Sequence, residues 1–120
     1  RWVVGRRSGL GAAGHLVEGD ESAHGPHLAD GEVAHALGRL VAVGAIDAKI
    51  AGAAIDDLQD LGIDRHAHDP LLDRIWELRR NITAYDAAYL ALAEVLDATL
   101  LTCDRRLARA AAKTARVEVF

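Results

Sequence analysis

Three carboxylates, Glu32, Asp86 and Asp104, each stand where helical patterning begins. Carboxylates gathered in one crevice repel one another and raise each other's pKa. A divalent cation removes that repulsion. Mg²⁺ or Mn²⁺ takes oxygen ligands, keeps several waters and needs only a few carboxylates. Such a metal activates water and stabilises charge on a phosphodiester. Each acid also has a plainer reading. Glu32, in the first turn after Asp30, complements the helix dipole. Asp86 lies three residues after Thr83, the spacing of a capping box. Asp104 precedes Arg105-Arg106-Leu107 as an N-cap would. Asp104 also lies two residues past Thr102, at the end of a strand pattern. In open α/β sheets the ligand crevice lies off such carboxyl ends.

Other groups carry less chemistry. His66 and His68 form a His-x-His pair that would face one side of a strand, but a transition-metal site needs a third ligand that the sequence does not name. Cys103 has no partner histidine placed by the sequence, and a lone buried thiol is inert. No phosphate-binding glycine motif is present. Arg79, Arg80, Arg105, Arg106 and Arg109 flank the two later acids. They read either as solvated helix surface or as a local attraction for a phosphate backbone.

The elements that must position these residues alternate between short apolar strands and helices. Val3-Val4 reads as a first strand running into Gly5-Arg6-Arg7-Ser8. Residues 20–27 read as a loop with a short extended piece ending at Pro26. Asp30 is a good N-cap for a helix bearing Val33, Leu37, Leu40 and Val41 at helical spacing. Gly44 closes it. Asp47 caps the next helix, with Ile50, Ala54, Leu58 and Leu61 on one face and Gly62 as its C′ glycine. Ile63–His66 is a short strand. Pro70 starts a helix through Leu71, Ile75 and Leu78, broken at Asn81-Ile82. Thr83 caps the strongest helix, with a stripe of Tyr85, Ala88, Tyr89, Leu92 and Leu96. Thr99–Thr102 is a strand, Asp104 caps a short helix, and residues 117–120 form a last strand. This alternation predicts an α/β domain with a mainly parallel sheet.

At 120 residues the chain has the size of one domain with one core. Its net charge of −4 argues against a broad basic face for duplex binding, while leaving room for a local basic patch. No apolar run approaches the roughly 20 residues that cross a bilayer, and the N-terminal residues do not read as a signal peptide. The lone Cys103 excludes an internal disulfide and fits a reducing, cytoplasmic setting.

The stretch ITAYDAAYLALAEVLDATLLTCDRRLARA resembles the carboxy-terminal half of the PIN-domain ribonucleases, in particular the VapC toxins of type II toxin–antitoxin systems. HGPHLADGEVAHALGRLVAVGAIDAKIAGAAIDDLQDLGI and RHAHDPLLDRIWELRRN are similar to that family too, so the likeness covers residues 24–120. It implies a three-layer α/β/α fold over residues 1–120 and Mg²⁺-dependent (or Mn²⁺-dependent) cleavage of RNA, with tRNA or rRNA as targets. It also implies a homodimer neutralised by a VapB-type antitoxin, gripped in the region of the helical hairpin at 30–61. By the same resemblance Glu32, Asp86 and Asp104 are the catalytic and metal-binding acids. Thr102 supports Asp104 through a hydrogen bond, and Asn81 is a supporting residue.

One acid of that pattern is missing. The family's first strand ends in apolar-Val-Asp-Ala-Ser, with the Asp a principal metal ligand; here Val4 is followed by Gly5. Asp20 and Glu21 lie too far along the chain to stand in for it. The alternative reading is therefore a catalytically inactive PIN domain that binds antitoxin or RNA. A frameshift is one hypothesis for the difference. If the stretch is encoded GTC-GTC-GGA-CGC-CGC, removing one G turns Val-Val-Gly-Arg into Val-Val-Asp-Ala, with the frame restored before His15. Resequencing the locus tests it, and failure of any single-base change to give an Asp codon after Val4 defeats it.

Overall fold

The computed structural model describes residues 1–4 and 22–119; the stretch after Val4, with Asp20 and Glu21, lies outside the described residues, as does Phe120. Among the described residues five strands form one sheet: β1 (Trp2–Val4), β2 (Ala23–Pro26), β3 (Ile63–His66), β4 (Thr99–Thr102) and β5 (Val117–Val119). Their order is β3-β2-β1-β4-β5, and every pairing is parallel. The predicted mainly parallel α/β fold is the observed one.

The helices are α1 (Leu28–Ala42), α2 (Ala48–Asp60), α3 (Leu72–Glu77), α4 (Ala84–Leu96) and α5 (Arg105–Ala111). Parallel crossovers are right-handed. The chain steps outward from β2 to β3 through α1 and α2. It then reverses past β1 to β4 through α3 and α4, and on to β5 through α5. The reversal puts α1–α2 on one face of the sheet and α3–α5 on the other, giving three layers. The switch point lies between β1 and β4, where open sheets hold their ligands.

The core joins Val3 of the middle strand, Leu100 of β4, Leu71, Leu107, Ala111 and the run Tyr89–Ala93 of α4. The stripe expected on α4 is too narrow. Every residue from Ala87 to Ala93 is buried, because α4 packs over β1, β2 and β4 while α3 covers its back. Tyr85 lies before that run and is 63% exposed. Arg74 of α3 clamps the two helices together, its Nε 2.8 Å from Glu94 Oε1. That pairing joins the start of α3 to the end of α4, so the two run antiparallel and their connecting turn lies at the carboxyl edge of the sheet.

Local signals predicted several ends and misplaced others. Thr83 Oγ1 accepts the Asp86 N–H, as an N-cap should, and Gly44 takes the left-handed φ of 76° that closes α1. Asp30 is not the N-cap of α1. The helix already starts at Leu28 behind His27, and the Asp30 carboxylate is instead held by Arg65 of β3, with Oδ1 3.0 Å from Nη2. A bidentate guanidinium satisfies the carboxylate better than a backbone amide. Asp47 occupies the cap position of α2 without a side-chain cap bond. Gly62 is not a left-handed C′ residue, because the chain leaves α2 extended at Leu61 (φ −69°, ψ 133°). Pro70 opens a 3₁₀ turn, Asp69–Leu71, ahead of α3 rather than α3 itself. The α1–α2 hairpin is thinly packed: α1 buries no residue, and Leu40, Val43 and Ile50 are exposed.

β2 carries a buried histidine between strands. His24 Nδ1 is 2.9 Å from His66 Nε2 on β3, and its Nε2 is 2.9 Å from Ser22 Oγ. His68 lies beyond the end of β3, with Nε2 accepting the Leu28 N–H, so the expected His-x-His pair does not share a strand face. Burial lowers the His24 pKa from its ordinary 6.5, and His66 adds to the effect, with opposition from Asp64. The folded chain therefore binds this proton less readily than the unfolded chain. The resulting stability is complete above the unfolded value and lost as pH falls below it. Thermal unfolding should move to lower temperature from about pH 7 to about pH 5.5. His24→Gln should start less stable and show a shallower pH slope; an equal slope defeats the assignment.

Candidate active site

All strands are parallel, so their carboxyl ends share one edge. α1 leaves that edge after β2 and carries Glu32 in its second turn. α5 leaves it after β4, with Asp104 as its N-cap. α4 begins there and carries Asp86 in its first turn. The three acids singled out by sequence thus belong to helix starts along one edge, beside the switch point.

Asp104 serves as a cap: its Oδ1 accepts the N–H groups of Arg106 at 3.0 Å and Leu107 at 3.2 Å. Thr102 is almost wholly buried, and its Oγ1 accepts the Asp104 backbone N–H at 3.0 Å. Thr102 therefore orients Asp104 through the main chain; the expected hydrogen bond exists, at the amide. Asn81 is exposed in the α3–α4 turn, its N–H bonded to Leu78 O.

Glu32 makes a contact that sequence does not reveal. The fully buried Tyr89 of α4 donates its hydroxyl to Glu32 Oε1 at 2.9 Å, across 57 residues of chain. Tyr89 reads as a core residue from its helical spacing, and its polar tip is the only sequence signal for this role. The bond ties the helix layer carrying Asp86 to the one carrying Glu32.

The donor types suit a hard divalent cation, since all are carboxylate oxygens. Among the described residues, however, no three His, Cys, Asp or Glu side chains gather closely enough to hold an ion. Residue 5 follows Val4, the last residue of the middle strand, and as glycine it brings no side-chain donor. The described acids alone do not make a complete cation site.

Positive charge borders this edge. Arg79 and Arg80 lie in the α3–α4 turn, and Arg105 and Arg106 open α5; all four are exposed. A groove between α5 and β5 is lined by Arg105, Arg109, Ala108, Val117 and Val119. The edge can receive a phosphate chain despite the net charge of −4. Among the described residues no helix is long and apolar enough to cross a membrane.

Comparison with known proteins converges on one group. The PIN domain profile matches residues 2–113. Ribonuclease VapC1 of Mycobacterium tuberculosis is 45% identical over 112 residues, covering 90% of this chain and 84% of that protein. Ribonuclease VapC9 of the same species is 42% identical over 87 residues, covering 72% of this chain and 68% of that protein. Among solved structures, PAE2754 from Pyrobaculum aerophilum superposes with a TM-score of 0.77 at 28% identity, covering 98% of this chain and 88% of the other.

Proposed function

We propose, for a chain that belongs to the VapC ribonucleases of the PIN-domain family, that it is the toxin of a toxin–antitoxin pair and an endoribonuclease acting on tRNA or rRNA. The observation that supports this reading is the placement of Glu32, Asp86 and Asp104 at helix starts along one carboxyl edge. Asp86 and Asp104 are the proposed metal ligands and Glu32 the third acid. Thr102 and Asn81 support them. Mg²⁺ or Mn²⁺, when bound, supplies an activated water and charge stabilisation at the phosphodiester. The residues themselves orient the carboxylates: Thr102 and the α5 amides hold Asp104, Tyr89 holds Glu32, and Thr83 sets the turn bearing Asp86.

The partner surface of this reading is the α1–α2 hairpin. Its exposed Leu40, Val43 and Ile50 suit a VapB-type antitoxin, and the toxin acts as a cytoplasmic homodimer. Gly5 and the lack of a three-donor cluster among the described residues favour a second reading, an inactive PIN domain that binds RNA or antitoxin without cutting.

Incubating the chain with tRNA or rRNA and Mg²⁺ or Mn²⁺ separates the two. On the ribonuclease reading, cleavage is seen, stops with EDTA, and falls on the order of 100-fold or more in Asp86→Asn and Asp104→Asn. RNA that is bound but left intact at every metal concentration establishes the second reading instead.

A further inference from the structure

Trp76 of α3 is 67% exposed although it is one of the largest apolar side chains in the protein. A single exposed apolar residue means little. This one is held in place. The Arg79 guanidinium lies over its ring, 4.4 Å from the centroid, while Arg79 Nη1 donates to the Trp76 carbonyl at 2.9 Å. One face of the indole is thus backed by a cation fixed at both ends.

The surroundings narrow what the ring can receive. Arg74 of the same helix is shared between Glu77, at 3.0 Å, and Glu94 of α4, at 2.8 Å, and the cations beyond it at the end of α3 are Arg79 and Arg80, both exposed. Because α3 runs antiparallel to α4, this end faces the carboxyl edge, in the turn that leads to Asp86. Leu72, 56% exposed, lies one turn before Trp76 on the same side. Two apolar side chains on a six-residue helix fall well short of the roughly 800 Å² per partner of a stable protein interface. An aromatic ring beside exposed arginines is instead the composition that binds single-stranded nucleic acid, through base stacking and phosphate attraction.

We infer that Trp76, backed by Arg79, is a stacking platform for an unpaired RNA base, with Arg80 attracting the adjoining phosphate, so that the strand is led from α3 toward the acids at the carboxyl edge. The inference rests on the ribonucleic-acid reading above and adds to it the residue that receives the base, which must be unpaired, since a paired base has no free face to offer.

Binding of a short fluorescein-labelled single-stranded RNA in EDTA, where cleavage is suppressed, tests it. Trp76→Ala should weaken binding about tenfold, the loss expected for one stacked base, and Trp76→Phe should retain most of the affinity. An abasic oligonucleotide of the same length should bind the parent and Trp76→Ala equally, because it keeps the phosphates and lacks the base. Circular dichroism confirms that the exposed substitutions leave the fold intact. Equal binding of the base-bearing RNA by parent and Trp76→Ala overturns the platform while leaving the ribonuclease reading standing. A change of oligomeric state in Trp76→Ala with RNA binding intact overturns it in favour of a protein contact. No RNA binding by the parent chain overturns the platform, and the ribonuclease reading is then decided by the metal-dependent cleavage assay above.

Discussion

With Mg²⁺ present, Gly5→Asp is expected to cleave tRNA on the order of 100-fold faster than the parent chain. Position 5 follows immediately on β1, the middle strand, whose neighbours β2 and β4 lead to α1 with Glu32 and to Asp104. The family resemblance places a metal-binding Asp at this point of the sequence, and a carboxylate added there would be one more hard oxygen donor, where the described acids form no three-donor cluster. The same substitution has a signature independent of turnover. If the added carboxylate joins the others, as the family resemblance implies, the further negative charge should lower stability in the absence of metal. With millimolar Mn²⁺, stabilisation should exceed that of the parent, since a ligand bound only by the folded state raises stability with its affinity. Gly5→Asn controls for size and should show neither effect. Equal cleavage rates and equal Mn²⁺ stabilisation in Gly5→Asp and the parent would remove position 5 from the site.

The largest expected loss of stability comes from Tyr89→Ala. Tyr89 is fully buried at the centre of α4, within the cluster that joins Val3 and Leu100 of adjacent strands. Truncating a buried aromatic costs about 3–5 kcal/mol, a large part of the roughly 5–15 kcal/mol that holds a domain folded. The melting temperature should fall by roughly 10–20 °C. Tyr89→Phe keeps the ring and removes the hydroxyl that donates to Glu32. It should cost only about 1 kcal/mol, visible as a small drop in urea midpoint, while lowering cleavage by more than that loss of folding explains. If Tyr89→Phe retains parental cleavage, the bond to Glu32 serves the fold alone.

The places where sequence reading held and failed share a physical basis. The caps at Thr83 and Asp104 were legible because a cap is a bond between neighbours in the chain, made within three residues. The Gly44 turn was legible for the same reason, since a left-handed φ is a local demand that glycine meets without strain. Asp30 failed because its partner, Arg65, lies 35 residues away; a local motif cannot register a competing tertiary ion pair. The α4 stripe was too narrow because helical periodicity assumes one buried face, and α4 is covered by the sheet on one side and by α3 on the other.

The candidate site divides along the same line. Residue type and spacing alone brought forward Glu32, Asp86 and Asp104, supplied the alternation that makes a parallel sheet, and carried the family likeness. They also exposed the glycine after Val4. Only the tertiary structure aligned the three helix starts on one edge, joined Tyr89 to Glu32 and buried His24 against His66. Those contacts link residues from separate strands and helices. They arise when parallel crossovers stack the layers, and no local propensity encodes them.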